Sequence, residues 1–544
     1  MYRGDQRLYG ASRASLGREV GMQALEYPLD WKRISAALVS ATALLIISPP
    51  LNWAWLFWIL LLPLLWAMRD GQPLRNAALG YLFGAVGTHT VLFWIKDTVL
   101  IFSNVPAPGA LIVTQLYATV FPLPIALVFG MAMPLRRRFG LGWILFVPAL
   151  QVAYEYAWPQ LFAFQLGAVQ YRTLPVWQLA SVTGVYGLTF IGFVTNCALA
   201  ECIYRRRENR PLPWRPVLAA CALPLMIAAW GAQRVERLDK ALAEARQLKV
   251  GLIQQNTTMP EVMRTSARKE LNDWLRRTKS LVEKEMAAHG EGPDLVVWSE
   301  GACPYNPHEG SLKEVFSQLT RTGDFGLLLG GGTRETERDP RDGKKLRISY
   351  NSTYFYDRNG ELKGRYDKMV PLPFGEFIPF GETFPVLYDL LQGPGRFRAG
   401  TEATIFEADD YTLSASICYE GILEPVVRDL SAADLLINVT NDAWFGDWLC
   451  PFQHAMLTAT RATEFGRPLV REALTGINMV VEPTGRVVFE TLPYEERSDV
   501  VAVRLGQFET LYSKFGNWFA QLCLLISIGA MMLTWRKRNE PPRS

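Results

Sequence analysis

Ser414-Ala-Ser-Ile-Cys418-Tyr-Glu420 sets a cysteine immediately after a short run, Thr412–Ile417, that reads as a buried strand. Two other segments repeat the arrangement with different reactive groups: Leu295-Val-Val-Trp-Ser-Glu300 ends on a carboxylate, and Tyr366-Asp-Lys368 ends on an amine. Open α/β sheets build their sites just past strand ends, so three such residues in one chain point to one site. Further strand runs at Leu248–Gln254, Leu295–Trp298, Gly326–Gly330, Ser352–Tyr356, Leu435–Val439 and Ile477–Val481 alternate with helix-like stretches at Pro260–His289, Gly310–Thr320 and Pro451–Phe465. Alternation with short connections predicts an α/β domain. Asp357-Arg-Asn-Gly360 and Glu482-Pro-Thr-Gly485 look like hairpin turns, so the sheet is expected to be mixed.

Outward from this segment the chain changes in kind. Hydrophobic residues make up 49% of the 544 and charged residues 20%, yet the apolar residues crowd before about residue 232 and again near the C-terminus. Runs that could cross a bilayer as a helix, which takes about 20 residues, fall near 34–49, 51–67, 76–95, 109–133, 141–158, 174–203 and 215–232, with an eighth from Phe515 to Trp535. Lys32-Arg33, Arg69 with Arg75, Arg136-Arg137-Arg138, Arg205-Arg206-Arg207 and Arg536-Lys537-Arg538 stand before the first run and after the second, fourth, sixth and eighth. The positive-inside rule makes all of these cytoplasmic. Eight crossings then leave both termini inside and the large segment between runs seven and eight outside, which is the periplasm for a bacterial chain. The expected organisation is a cytoplasmic segment 1–33, a seven-helix membrane domain 34–232, a catalytic domain 233–510, and an eighth helix with a basic tail 511–544. The charged joint Ala232–Leu248 is expected to be helical, and Glu155, near the end of the fifth run, is expected to snorkel to the interface.

Composition also excludes. A net charge of +4 over this length, with its basic residues beside apolar runs, gives no reason to expect nucleic acid. Seven cysteines without regular spacing form neither a disulfide framework nor a zinc pattern, and four histidines speak against a metal centre. The first thirty residues lack the blocks of a cleavable signal peptide, so the first apolar run is expected to stay as an anchor.

Singly, the three strand-end residues are weak signals, since a Glu there is often a solvated cap, a loop Lys is usually solvated, and a lone Cys is often a small buried hydrophobe. Together they resemble the Glu-Lys-Cys triad of the nitrilase (carbon–nitrogen hydrolase) superfamily. Tyr366-Asp-Lys368-Met-Val-Pro-Leu-Pro-Phe374-Gly-Glu376-Phe-Ile-Pro379 is similar to the family's lysine segment, with its second glutamate eight residues on. Asn441-Asp-Ala-Trp-Phe-Gly446, Gln453-His454, Arg461-Ala462 and Gly466-Arg467-Pro468 resemble the apolipoprotein N-acyltransferase branch of that superfamily, which carries eight transmembrane helices around the nitrilase domain. Two departures stand out: Ser299 precedes Glu300 where the family has Pro, and Arg471-Glu-Ala-Leu-Thr475 lacks the Asn usual before Gly476-Ile477.

The resemblance implies an α-helical membrane bundle of about eight spans, with a nitrilase-like α-β-β-α sandwich inserted before the last span. It implies Glu376, Tyr419, Glu420 and Asn351 as supporting residues, although an Asx turn at a strand start is an equal reading of Asn351. No metal or organic cofactor is implied. The implied partners are a membrane phospholipid as acyl donor and diacylglyceryl apolipoproteins as acceptors, served by a monomer in the bacterial inner membrane. The chemistry of the residues agrees with that picture. A thiolate such as that of Cys418 can hold an acyl group as a thioester that stays reactive towards amines. Glu300 in a partly desolvated pocket could take the thiol proton and later return it. The Lys368 ammonium could stabilise the tetrahedral oxyanion. Hydrolysis of a small amide by a membrane-bound amidase would use the same triad, and a non-catalytic membrane scaffold or receptor would keep the fold.

Overall fold

A computed structural model describes residues 30–102, 105–258, 261, 264–338, 345–381, 383–384, 386–387 and 396–538. The first 29 residues, part of the expected helix start at 259–263, the tail beyond residue 538 and the side chains of 536–538 lie outside that description.

Among the described residues, twelve strands fall between Gln247 and Arg504: β1 (Gln247–Gln254), β2 (Leu295–Val297), β3 (Gly326–Arg338), β4 (Lys345–Tyr356), β5 (Leu362–Asp367), β6 (Ile405–Glu407), β7 (Thr412–Ile417), β8 (Leu435–Thr440), β9 (Leu469–Ala473), β10 (Met479–Val481), β11 (Val487–Glu490) and β12 (Arg497–Arg504). They form two six-stranded sheets, ordered β12-β1-β2-β3-β4-β5 and β11-β10-β9-β8-β7-β6. Each has three parallel strands at its centre, β1-β2-β3 and β7-β8-β9, flanked by antiparallel strands, so both sheets are mixed as expected.

Side chains alternate across the first sheet with the two-residue period of a strand. Val250, Leu252, Leu295, Val297 and Leu328 join Leu413, Ala415, Ile417, Ile437 and Val439 of the second sheet in one buried cluster. Ile253, Val296, Trp298, Leu327 and Leu329 face the other way, onto Trp274 and Leu281 of the helix Ala267–His289 and Phe316 of the helix Gly310–Gly323. Glu424–Leu430 and Cys450–Phe465 cover the second sheet, completing an α-β-β-α stack. Full burial stabilises each large apolar side chain by about 1.5–3 kcal/mol, so this layering orients the strand ends firmly.

Both expected hairpin turns are present. Gly360 (φ +83°) and Gly485 (φ +82°) take the left-handed backbone that closes them, with Asp357 N–H donating to the Glu361 carbonyl and Glu482 N–H to that of Arg486. Strands the pattern missed carry charges inside them. β9 reads Leu-Val-Arg471-Glu472-Ala, with two charges in its middle, and the edge strand β12 confines its apolar run to Val500–Val503 between charged ends.

Four helical stretches, Ala107–Ala157, Val185–Arg207, Trp214–Ala243 and Trp518–Trp535, are long and apolar enough to cross a membrane among the described residues. The pair Pro73–Val91 and Ile95–Phe102, bent by 52°, makes a fifth if taken as one span. Helix is also present where the other runs were expected, at Trp31–Ile47 and in the shorter Ala54–Ala67. The expected run 174–203 is interrupted: Pro175 and Gly184 (φ +66°) leave two single turns before Val185–Arg207 begins. Trp214–Ala243 is continuous through the charged joint, reaching within a few residues of β1.

Glu155 differs from expectation. It is buried, and its carboxylate accepts from Gln151 Nε2 (3.1 Å), the Leu166 N–H (3.2 Å) and Thr189 Oγ1 (2.9 Å), so internal partners, not the interface, satisfy it. The N-terminal apolar part is joined to the α/β domain by buried polar contacts with the helix Cys450–Phe465 and the Glu482–Gly485 turn: Trp94 Nε1 donates to Gln453 Oε1 (3.1 Å), Trp177 Nε1 to Thr463 Oγ1 (3.0 Å), and Gln178 Nε2 to the Thr484 carbonyl (2.7 Å).

Candidate active site

Glu300 follows β2 by three residues, Lys368 follows β5 by one, and Cys418 comes immediately after β7. The facing sheets bring these ends together. Lys368 Nζ is 2.7 Å from Glu376 Oε2 and 3.7 Å from Glu300 Oε1, with the lysine side chain 2% exposed. Asn351 lies within β4, not at a turn, and its Nδ2 donates to Glu300 Oε1 and to Glu376 Oε1, each at 2.7 Å. The Asn441 N–H donates to Glu300 Oε2 (2.9 Å), and the Leu372 N–H to Glu376 Oε2 (2.7 Å).

Burial pushes the Glu300 pKa up and Glu376 adds to the rise, while Lys368 and hydrogen bonds from Asn351 and Cys418 oppose it. Burial would pull the Lys368 ammonium down, but Glu376, Glu300, Cys418 and Glu420 outweigh it and hold the pKa above its usual value. The Cys418 thiol is pushed well up by burial and by Glu300, against the pull of Lys368. A thiol held that high stays protonated until a base beside it takes the proton, and Glu300 is within hydrogen-bonding reach.

Cys418 has φ +52°, a left-handed backbone rare for a residue with a side chain. The fold over-determines it from two sides. Glu420, fully buried, accepts from the Met369 (2.6 Å) and Val370 (3.0 Å) N–H groups on Oε1 and from Tyr366 Oη and the Ile417 N–H (2.9 Å each) on Oε2. One carboxylate thus fastens the end of β5, which carries Lys368, to the end of β7, which carries Cys418. Burial raises the Glu420 pKa to about 7, with Lys368 and these donors acting the other way. Tyr419 is buried beside the cysteine, its phenol pushed up to about 12 by burial against the effect of Lys368.

The second side is a buried polar network. Asn438 Nδ2 donates to the Cys418 carbonyl (3.1 Å), and Arg471 donates to Asn438 Oδ1 (2.8 Å) and to Asp442 Oδ2 (2.6 Å). His454 Nδ1 lies 2.8 Å from Asp442 Oδ1, and its Nε2 lies 3.2 Å from the Cys418 carbonyl. All four side chains are buried. Burial acts to raise the Asp442 pKa, but Arg471 and His454 hold it at about 2. The available signal was Arg471-Glu472 in a strand buried throughout, since a charge there requires partners.

The helix Ile95–Phe102 lies against this region. Phe102 stacks on Trp444 (4.4 Å, 13°), and Trp94 meets Phe445 edge-on at 5.7 Å. In the loop that carries Glu376, Phe374, Phe380, Phe384 and Val386 are exposed. Among the described residues no group of three or more His, Cys, Asp or Glu side chains is arranged to hold a metal ion.

Family models match both parts of the chain: Apolipoprotein N-acyltransferase N-terminal domain over residues 40–198 and Carbon-nitrogen hydrolase over residues 241–510. The apolipoprotein N-acyltransferase of Geobacter metallireducens is 31% identical over 518 residues, covering 92% of this chain and 95% of its own. That of Bdellovibrio bacteriovorus is 26% identical over 522 residues, covering 93% of each. Among solved structures, an amidase from Nesterenkonia sp. aligns with 50% of this chain and 92% of its own at 17% identity, with a TM-score of 0.34. With a relative above 30% identity over almost all of both chains, and with both family descriptions matched in order, this chain belongs to the apolipoprotein N-acyltransferase family.

Proposed function

We propose that this protein moves a fatty acyl group from a membrane phospholipid to the α-amino group of the diacylglyceryl-cysteine at the N-terminus of apolipoproteins, through a thioester on Cys418. In the first half-reaction Glu300 takes the thiol proton, and the sulfur attacks the ester carbonyl carbon. Lys368 stabilises the oxyanion, the ester C–O bond breaks, and Glu300 returns the proton to the departing lysophospholipid oxygen. In the second, the amine nitrogen attacks the thioester, the C–S bond breaks, and the proton lost by the amine returns through Glu300 to sulfur. Glu376 and Asn351 hold Lys368 and Glu300 in register, and Glu420 ties Lys368 to Cys418. Tyr419 supplies its backbone next to the nucleophile.

The observation that carries this reading is the convergence of Glu300, Lys368 and Cys418 beside the short helix Ile95–Phe102, which follows the apolar helix Pro73–Val91 after a 52° bend. Both substrates are lipid-anchored, and drawing a long chain into water costs about 0.8 kcal/mol per CH₂, so a site built against membrane helices suits them. The exposed Phe374, Phe380 and Phe384 suit an approach through lipid. The proposed arrangement keeps the division 1–33, 34–232, 233–510 and 511–544, with eight crossings of the bacterial inner membrane, the catalytic domain in the periplasm and a monomer as the working unit.

Purified protein mixed with phospholipid should acquire one fatty-acyl mass on the peptide containing Cys418 and release little free fatty acid. Adding a diacylglyceryl peptide should discharge it and yield one N-acylated peptide per acyl group. Steady release of fatty acid without N-acylated product would establish a hydrolase instead.

A further inference from the structure

We propose that His454, with Asn438, is a positioning residue that aims the Tyr419 N–H at the oxygen of the acyl group under attack; the inference rests on Cys418 being the nucleophile. The Cys418 carbonyl oxygen is gripped twice from the protein interior, by Asn438 Nδ2 at 3.1 Å and by His454 Nε2 at 3.2 Å. A carbonyl only accepts, so Nε2 carries a proton in this arrangement. Nδ1 is served in either state, because it faces both the Asp442 carboxylate at 2.8 Å and the Arg471 guanidinium at 3.4 Å.

In a trans peptide the C=O and N–H of one unit point in opposite directions within one plane. Fixing the Cys418 oxygen therefore fixes the direction of the Tyr419 N–H. That N–H lies in the first turn of the 3₁₀ segment Cys418–Ile422, where no carbonyl of the same helix is available to it. Two donors on the carbonyl also polarise the peptide unit and strengthen its N–H as a donor. The left-handed Cys418 backbone needs such external restraint, since its own torsional preference is elsewhere. The clamp is rigid: His454 and Asn438 are 0% exposed, and the rings of Phe162 and Phe445 pack edge-on against the imidazole at 5.9 and 6.2 Å.

Two variants separate aiming from general support. In His454→Gln the amide nitrogen falls near Nε2 and can still donate to the Cys418 carbonyl, whereas in His454→Asn it falls near Nδ1 and cannot reach. Both are compared in the full-length protein for acyl loading from phospholipid and for alkylation of Cys418 by iodoacetamide, a reaction that develops no carbonyl oxyanion. Losing a direct oxyanion donor costs about 10²–10³-fold, so misdirecting one should slow loading at least about tenfold in the Asn variant, with the Gln variant within about threefold of wild type. Alkylation should change by less than about threefold in both. If His454→Asn does not fold, Asn438→Asp, which turns the second donor into an acceptor, should show the same split. Wild-type loading by the variants that cannot donate, or loading and alkylation falling in parallel, would overturn the proposal. A wild type that alkylates at Cys418 but never loads there would instead overturn the nucleophile assignment, and this inference with it.

Discussion

Lys368→Met removes an ammonium lodged between two buried carboxylates. At an effective dielectric of about 20, opposite charges at its distances of 2.7 Å from Glu376 and 3.7 Å from Glu300 attract by about 6 and about 4.5 kcal/mol. Without it, Glu300 and Glu376 share only the Asn351 amide nitrogen, 2.7 Å from each, and repel one another. One of them then takes a proton, which returns part of the loss. The net cost of removing one partner from a buried ionic group is about 3–5 kcal/mol, which is the destabilisation expected here. Glu300, its pKa already raised by burial and by Glu376, loses the opposing effect of Lys368 and becomes the wrong species to accept a proton. The variant should therefore fail to form the acyl-thioester for two reasons, a protonated base and an unstabilised oxyanion.

The double variant Lys368→Met/Glu376→Gln separates these effects. It removes the like charge, so about 1–3 kcal/mol of stability should return, while loading should remain abolished. Unfolding in detergent followed by tryptophan fluorescence reads the first quantity, and intact mass after incubation with phospholipid reads the second. A double-variant loss equal to the sum of the two single losses would refute the coupling, and an acyl adduct on the double variant would remove Lys368 from the mechanism.

Glu300→Gln should likewise abolish loading while leaving Cys418 open to alkylation at high pH; normal thioester accumulation would disqualify it as the base. Asp442 has a folded pKa of about 2, below its unfolded value, so its ionisation contributes about 2–3 kcal/mol that is fully present above about pH 4 and lost as pH falls through about 2. The stability gap between wild type and Asp442→Asn should accordingly narrow over that interval, and a constant gap would contradict the ion pairing. Gly485→Ala would force a side chain into a left-handed turn with its Cβ 2.5 Å from Thr463 Oγ1 and 2.6 Å from Trp177 Cδ1, costing about 2–3 kcal/mol; a neutral effect on unfolding would show that this contact yields. A reporter fused near Asn306 should behave as periplasmic and one after Arg538 as cytoplasmic, and finding both on one side would exclude eight crossings.

Features encoded within a short run of residues stand where the chain predicts them. Strands such as Thr412–Ile417 appear at the expected residues because a buried strand is a short apolar run, and the hairpins at Gly360 and Gly485 because a left-handed turn selects glycine. The strand-end positions of Glu300 and Cys418 were legible for the same reason, whereas Lys368, which follows the polar β5, and Glu376 were marked by the spacing of their shared motif. Local pattern failed wherever a partner distant in the chain supplies the stabilisation. Glu155 looks like a charge seeking the interface until Thr189 and the Leu166 amide close around it. β9 is hidden because Arg471 and Glu472 are tolerated inside it through partners outside the strand, Asp442 and Asn438 for the first and Asn478 and the Ile253 N–H for the second. Asn351 could equally have made a turn, and only the β3–β4–β5 register sets its amide between two carboxylates. The tertiary structure alone decided the clamp on the Cys418 carbonyl, because Asn438, Asp442, His454 and Arg471 come from separate elements. The cost of burying charge and polarity is met only when those elements pack, and no local run of residues records which distant partner will meet it.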